Sequence, residues 1–180
     1  MKNLFRSAVV ATTLLAFGHV QAHIVFAEPK ASAGAYFKAS LRVGHGCQGA
    51  ATQGITVFIP EGFEGAKPQP KAGWSVTTRK SKRSQPYFSH GKTVSEDVVE
   101  ISWKALSADS VLPDDFYDEF SWMARLPQAP QNVWVRVLQI CTEGFNDWSE
   151  VPLSGASTKG LKTPAALLVI EAPETPHMHH

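Results

Sequence analysis

His23 is the residue of this chain whose chemistry depends most on its position. Residues 1–22 carry Lys2 and Arg6, then an apolar stretch from Ala8 to Phe17, then Val20-Gln21-Ala22. A charged start, a short apolar core and a small-residue end are the parts of a secretory signal peptide, with cleavage expected after Ala22. Cleavage would leave His23 with a free α-amine beside its own ring Nδ1. Those two nitrogens can close a six-membered chelate on a metal ion, which no internal histidine can do. Copper(II) stands at the top of the divalent affinity order for nitrogen and oxygen donors and favours tetragonal sets of them. The amine must lose its proton to bind, and an ordinary α-amine pKa of ~7.7–8.0 makes that cost only about one kcal/mol at neutral pH. One residue does not complete a site, so the rest of the chain has to supply more donors.

Other residues with metal or redox chemistry are few. Cys47 and Cys141 are the only cysteines. In an exported chain a lone pair reads as one disulfide; two thiolate ligands for a soft metal are the rival reading. His45 stands two residues before Cys47 and would form a His-x-Cys ligand pair only if that sulfur stayed reduced. It is read as a turn histidine, and His90, beside Gly91, as a hairpin residue. The chain ends in His177-Met178-His179-His180, where imidazole and thioether together suit copper in both oxidation states. This tail is read as disordered from Pro173 and as a weak secondary copper site. A Gly-x-Ser-x-Gly elbow and a phosphate-cradling glycine loop are both absent, and no enzyme motif is found.

The elements that must position these residues are strands. Apolar residues recur with a period of two at Phe37, Ala39, Leu41 and Val43, opposite Tyr36, Lys38, Ser40 and Arg42. The pattern returns at Ile55, Val57 and Ile59, at Val99, Ile101 and Trp103, and at Phe120, Trp122, Ala124 and Leu126. It continues as one run through Val133, Val135, Val137, Gln139 and Cys141, and Ala165–Ile170 reads as a core strand. Pro and Gly punctuate these runs at Pro60-Glu61-Gly62, Pro68 to Gly73, Pro127 to Pro130 and Glu143-Gly144. No helix and no internal repeat is evident. The expectation is a single all-β domain, an antiparallel β-sandwich of immunoglobulin or cupredoxin-like type, over residues 23–172. Arg79–Arg83, with four basic residues in five, reads as a solvated hairpin loop. Trp74, Trp103, Trp122 and Trp134 read as core or inter-sheet packing.

Composition narrows the partners. The 17 basic and 16 acidic residues become 15 and 16 once Lys2 and Arg6 are removed, so no basic excess points to nucleic acid. The apolar stretch of the leader is shorter than the roughly 20 residues of a spanning helix, and nothing later approaches that length. A soluble, periplasmic mature protein without a membrane anchor is expected.

Several segments, taken in order, carry a resemblance. They are His23-Ile-Val-Phe-Ala-Glu-Pro, Tyr36-Phe-Lys-Ala-Ser-Leu-Arg-Val, His45-Gly-Cys-Gln-Gly and Val57-Phe-Ile-Pro-Glu-Gly. Lys67-Pro-Gln-Pro-Lys-Ala-Gly-Trp74, Tyr117-Asp-Glu-Phe120, Gln139-Ile-Cys-Thr-Glu-Gly and Trp148-Ser-Glu-Val-Pro152 follow. The ordered set resembles the YcnI-like family of exported copper-binding domains over nearly the whole mature chain. What the resemblance implies is a single-histidine brace for copper(II). His23 would give its amine and Nδ1, Glu119 an oxygen, and Trp148 would lie beside the metal without ligating it. Asp118 and Glu143 are alternatives to Glu119. Indole nitrogen donates hydrogen bonds and does not ligate, so Trp148 would act by stacking, cation–π contact or shielding. A Cys47–Cys141 bridge would anchor the start of the segment Thr142–Trp148 and hold the tryptophan loop against the brace.

The function expected from these readings is copper homeostasis: a metallochaperone that carries or delivers copper(II) to other periplasmic copper chaperones or a cuproenzyme. Two alternatives remain. A copper-dependent oxidative enzyme of the lytic monooxygenase type needs a second equatorial histidine. Only His45 and His90 remain in the body of the domain, neither in an evident matching motif. An immunoglobulin-like adhesion or assembly module would leave the histidine incidental.

Overall fold

The computed structural model describes residues 23–173; the expected leader, residues 1–22, and the terminal His177-Met178-His179-His180 lie outside the described residues. Twelve strands follow one another: β1 (Val25–Phe26), β2 (Lys30–Ser32), β3 (Tyr36–Val43), β4 (Thr52–Phe58), β5 (Glu64–Pro68) and β6 (Trp74–Ser89). After them come β7 (Lys92–Ala105), β8 (Asp118–Arg125), β9 (Gln131–Val135), β10 (Val137–Cys141), β11 (Phe145–Trp148) and β12 (Ala166–Glu171). The only helical turn among the described residues is a 3-10 turn at Ala108–Ser110. The strands form three sheets, ordered β1-β3-β8-β5, β11-β10-β4-β7-β6 and β2-β12-β9. All pairings are antiparallel except β2 with β12.

Period-two apolar patterning builds the core. In β3 and β8 the alternate residues Phe37, Ala39, Leu41 and Val43 and Phe120, Trp122 and Ala124 are buried, and they meet the buried row Ile55, Val57, Ile101 and Trp103 of β4 and β7. Phe120 on β8 is met edge-on by Trp74 at 5.1 Å and Trp103 at 5.8 Å, so aromatic contacts join the four- and five-stranded sheets. Ser40 is on the outward phase of β3 yet buried, because its hydroxyl bonds Ser121 and Glu119 on the neighbouring strand.

Three local expectations are corrected. Arg79–Arg83 is not a loop but the middle of β6, the 16-residue edge strand of its sheet. Charge density imitates a loop there because edge strands carry basic side chains that block pairing with another chain. Arg79 pairs with Glu100 on β7, and Arg83 is not solvated but reaches the buried Asp97 at 3.3 Å. The hairpin turn is His90-Gly91, as expected of His90, with φ of 48° and 77°. Positive φ at both residues is the geometry of a two-residue turn that matches strand twist.

The run Val133–Cys141 is two strands. β9 belongs to the three-stranded sheet and β10 to the five-stranded one, with Arg136 at the crossing. Alternation survives the switch, so periodicity could not report it. The expected tryptophan loop is largely strand too: β11 pairs back on β10, setting Trp148 opposite Val137.

Candidate functional site

Gln139 lies at the inward phase of β10 and is completely buried. A buried amide needs partners for both donors and its acceptor. Its Nε2 donates to the His45 carbonyl at 2.7 Å and to Thr52 Oγ1 at 2.8 Å. Its Oε1 accepts from Trp148 Nε1 at 3.0 Å and from Asn146 Nδ2 at 3.2 Å. Trp148, 1% exposed, is therefore held by its indole N–H from the strand next to its own.

The same amide fixes the His45 loop from below, and other contacts fix its sides. The Cys47–Cys141 disulfide ties the loop to the end of β10, with Cα atoms 5.9 Å apart. Cys47 exchanges two main-chain hydrogen bonds with Ala50, and Gly46 N–H donates to Asp114 Oδ1 at 2.7 Å. Gly46 admits no side chain, since a Cβ would lie 1.8 Å from the Ala50 carbonyl oxygen. Held in this way, the His45 ring meets the Trp148 indole edge-on at 5.9 Å. Its Nδ1 lies 2.5 Å from the Gly46 carbonyl. A carbonyl can only accept, so Nδ1 is the donor in this contact.

His23 reaches the same indole from the other sheet. β1 pairs with β3 through Val25 and Arg42, and continuing that register sets His23 toward Gly44 and His45. The His23 ring is half-buried, with its centroid 6.0 Å from that of Trp148. Thus two of the residues singled out in the sequence, His23 and Trp148, meet, and His45 joins them.

Glu119 stands elsewhere. It pairs with Arg42 across β8 and β3, so it is two strands from β1, in the row of Val25. Strand geometry puts its Cα about 12 Å from that of His23. Its carboxylate accepts from Ser40 Oγ at 2.7 Å and faces Arg42 at 3.5 Å. Asp118 is bound to Lys71 at 2.5 Å, and Glu143 is exposed in the β10–β11 turn. Among the described residues no group of three or more His, Cys, Asp and Glu side chains is set to hold a metal. What the residues at Trp148 offer a metal is nitrogen: two imidazoles and, in a chain cut after Ala22, the His23 amine. That set is chemically suited to copper(II).

Below the site, Arg136 forks onto Asp147 across the β10–β11 hairpin at 2.7 and 2.9 Å. That hydrogen bonding holds the Asp147 carboxyl below the usual carboxylate range. Arg136 also caps the Phe58 ring at 4.5 Å, tying the hairpin to β4. Sequence reasoning missed Gln139, although a polar residue at an inward position between Val137 and Cys141 was a readable signal that buried partners were waiting.

The sheet arrangement has a counterpart among solved structures. The crystal structure of an uncharacterized protein from Nocardia farcinica, described as revealing an immunoglobulin-like fold, matches with a TM-score of 0.63 at 23% identity. The match covers 82% of this chain and 97% of that one. The molecule is an immunoglobulin-like β-sandwich. Residues 23–170 match the family described as Domain of unknown function (DUF1775), and the chain belongs to that family. Curated proteins give no significant match.

Proposed function

We propose that this chain is a copper(II)-binding protein of the YcnI-like kind, exported to the periplasm and acting in copper trafficking or delivery, not in turnover. The supporting observation is the meeting of His23 with the buried Trp148, in a family match that begins at His23. The amine and Nδ1 of His23 chelate the ion, and Trp148 shields it; its N–H is engaged by Gln139, so the indole contributes its ring face or edge. The disulfide fits an oxidising compartment, and no helix among the described residues is long and apolar enough to cross a membrane. Glu119 serves as the oxygen donor of this reading only if it leaves Ser40 and Arg42.

Copper(II) titration of the chain beginning at His23, followed by electron spin resonance, tests the proposal. One tight type 2 signal is expected, with weaker equivalents lost on truncation after Pro176 if the His/Met tail binds too. An absence of any tight signal would favour the adhesion or assembly module. His45 at Trp148 gives specific support to a second reading, the copper-dependent oxidative enzyme, which needs a second imidazole. Oxygen- or peroxide-driven turnover on polysaccharide would favour it.

A further inference from the structure

We infer that His45 is a second imidazole donor to the copper held by His23, in the place that the family resemblance gives to Glu119. This rests on the copper reading above and deepens it. Two rings, one just before β1 and one in the loop after β3, converge on one buried indole: His23 at 6.0 Å and His45 at 5.9 Å. The register of β1 on β3, continued by two residues, independently sets His23 toward Gly44, the residue before His45.

The His45 ring also has the arrangement of a ligating histidine. Such histidines commonly donate one ring N–H to a backbone carbonyl, which fixes the tautomer and raises the basicity of the other nitrogen. The Nδ1 contact with the Gly46 carbonyl is of this kind and leaves Nε2 as the nitrogen that would ligate.

Pre-organisation is the third argument. The loop is tied by a disulfide, by Asp114 on the Gly46 N–H, and by Gln139 on the His45 carbonyl. That last bond links the His45 main chain to Trp148 through a single side chain. A ligand on so constrained a loop loses little freedom on binding. Glu119, by contrast, is already compensated by Ser40 and Arg42, and moving it would break both contacts.

The test uses the chain beginning at His23. Pulsed spin resonance of the copper(II) complex should count two imidazoles in the wild type and one in His45→Ala. His45→Ala should weaken copper by at least about tenfold, the lower end of what loss of an outer-shell partner alone costs. Glu119→Gln should leave both readouts unchanged. The His45 carbonyl persists in the alanine variant, so Gln139 keeps its acceptor, and the count in the wild type requires no variant at all. A tight wild-type site with one imidazole, or a loss seen in Glu119→Gln and not in His45→Ala, overturns the inference while leaving copper binding standing. A wild type with no tight site overturns both.

Discussion

Trp148 is buried with its indole N–H satisfied by one amide side chain. Gln139 spends all four of its available bonds on Trp148, Asn146, Thr52 and the His45 carbonyl. Replacing it with leucine keeps the volume and leaves the buried Trp148 N–H and Thr52 hydroxyl without this partner. Leaving a buried donor unpaired costs about 1–3 kcal/mol. Gln139→Leu should therefore lower stability by at least that amount in denaturant unfolding and weaken copper binding through the loosened His45 loop. A variant as stable as the wild type would show that the network is dispensable. At this scale the cysteine pairing was legible in the sequence, because its chemistry is covalent, whereas Trp148 was singled out only by the family resemblance and His23 by the expected cleavage. His45 was read as a turn residue, and it does lie in a loop. What that reading lacked was the neighbour: nothing in local spacing brings residues 23, 45 and 148 to one place.

Strand-level patterning was legible where one face is buried and the other solvated, as in β3 and β8. It failed where the physical cause was tertiary. Arg79–Arg83 looked like a loop because an edge strand is as polar as a loop. Val133–Cys141 looked like one strand because both sheets bury the same phase of the chain. The second error concealed the site, since β10 with its Gln139 and Cys141 crosses to the sheet that holds Trp148. The disulfide belongs to this scale as well, joining the loop before β4 to the end of β10 across 94 residues of sequence. On the chain-entropy account a loop of that length is worth roughly 4–5 kcal/mol. Replacing Cys47 and Cys141 together by alanine should cost up to about that much by thermal unfolding, and it should weaken copper binding by freeing His45. Undiminished affinity in a folded, disulfide-free protein would contradict the clamp.

At the scale of the molecule, the sandwich brings the segment before β1 of one sheet against the β10–β11 hairpin of the other. β1 delivers His23 from the four-stranded sheet, and β11 delivers Trp148 from the five-stranded sheet. All-β architecture and the antiparallel sandwich followed from periodicity and turn punctuation, and of the two types expected the likeness to a solved structure shows the immunoglobulin-like one. The near balance of 17 basic and 16 acidic residues offers no surface field to identify a partner, so the account stands on the site. The site is also conditional on processing. In the uncut chain the His23 nitrogen is a peptide amide, and the imidazole alone remains for metal.

The most direct measurement compares copper(II) affinity of the chain beginning at His23 with that of the same chain carrying one extra residue before it. The extension keeps every side chain, Trp148 and the disulfide, and removes only the free amine from the chelate. A marked loss of affinity, with a changed nitrogen hyperfine pattern, is the predicted result. Equal affinity and an unchanged spectrum in the two proteins would contradict copper binding through the amine of His23.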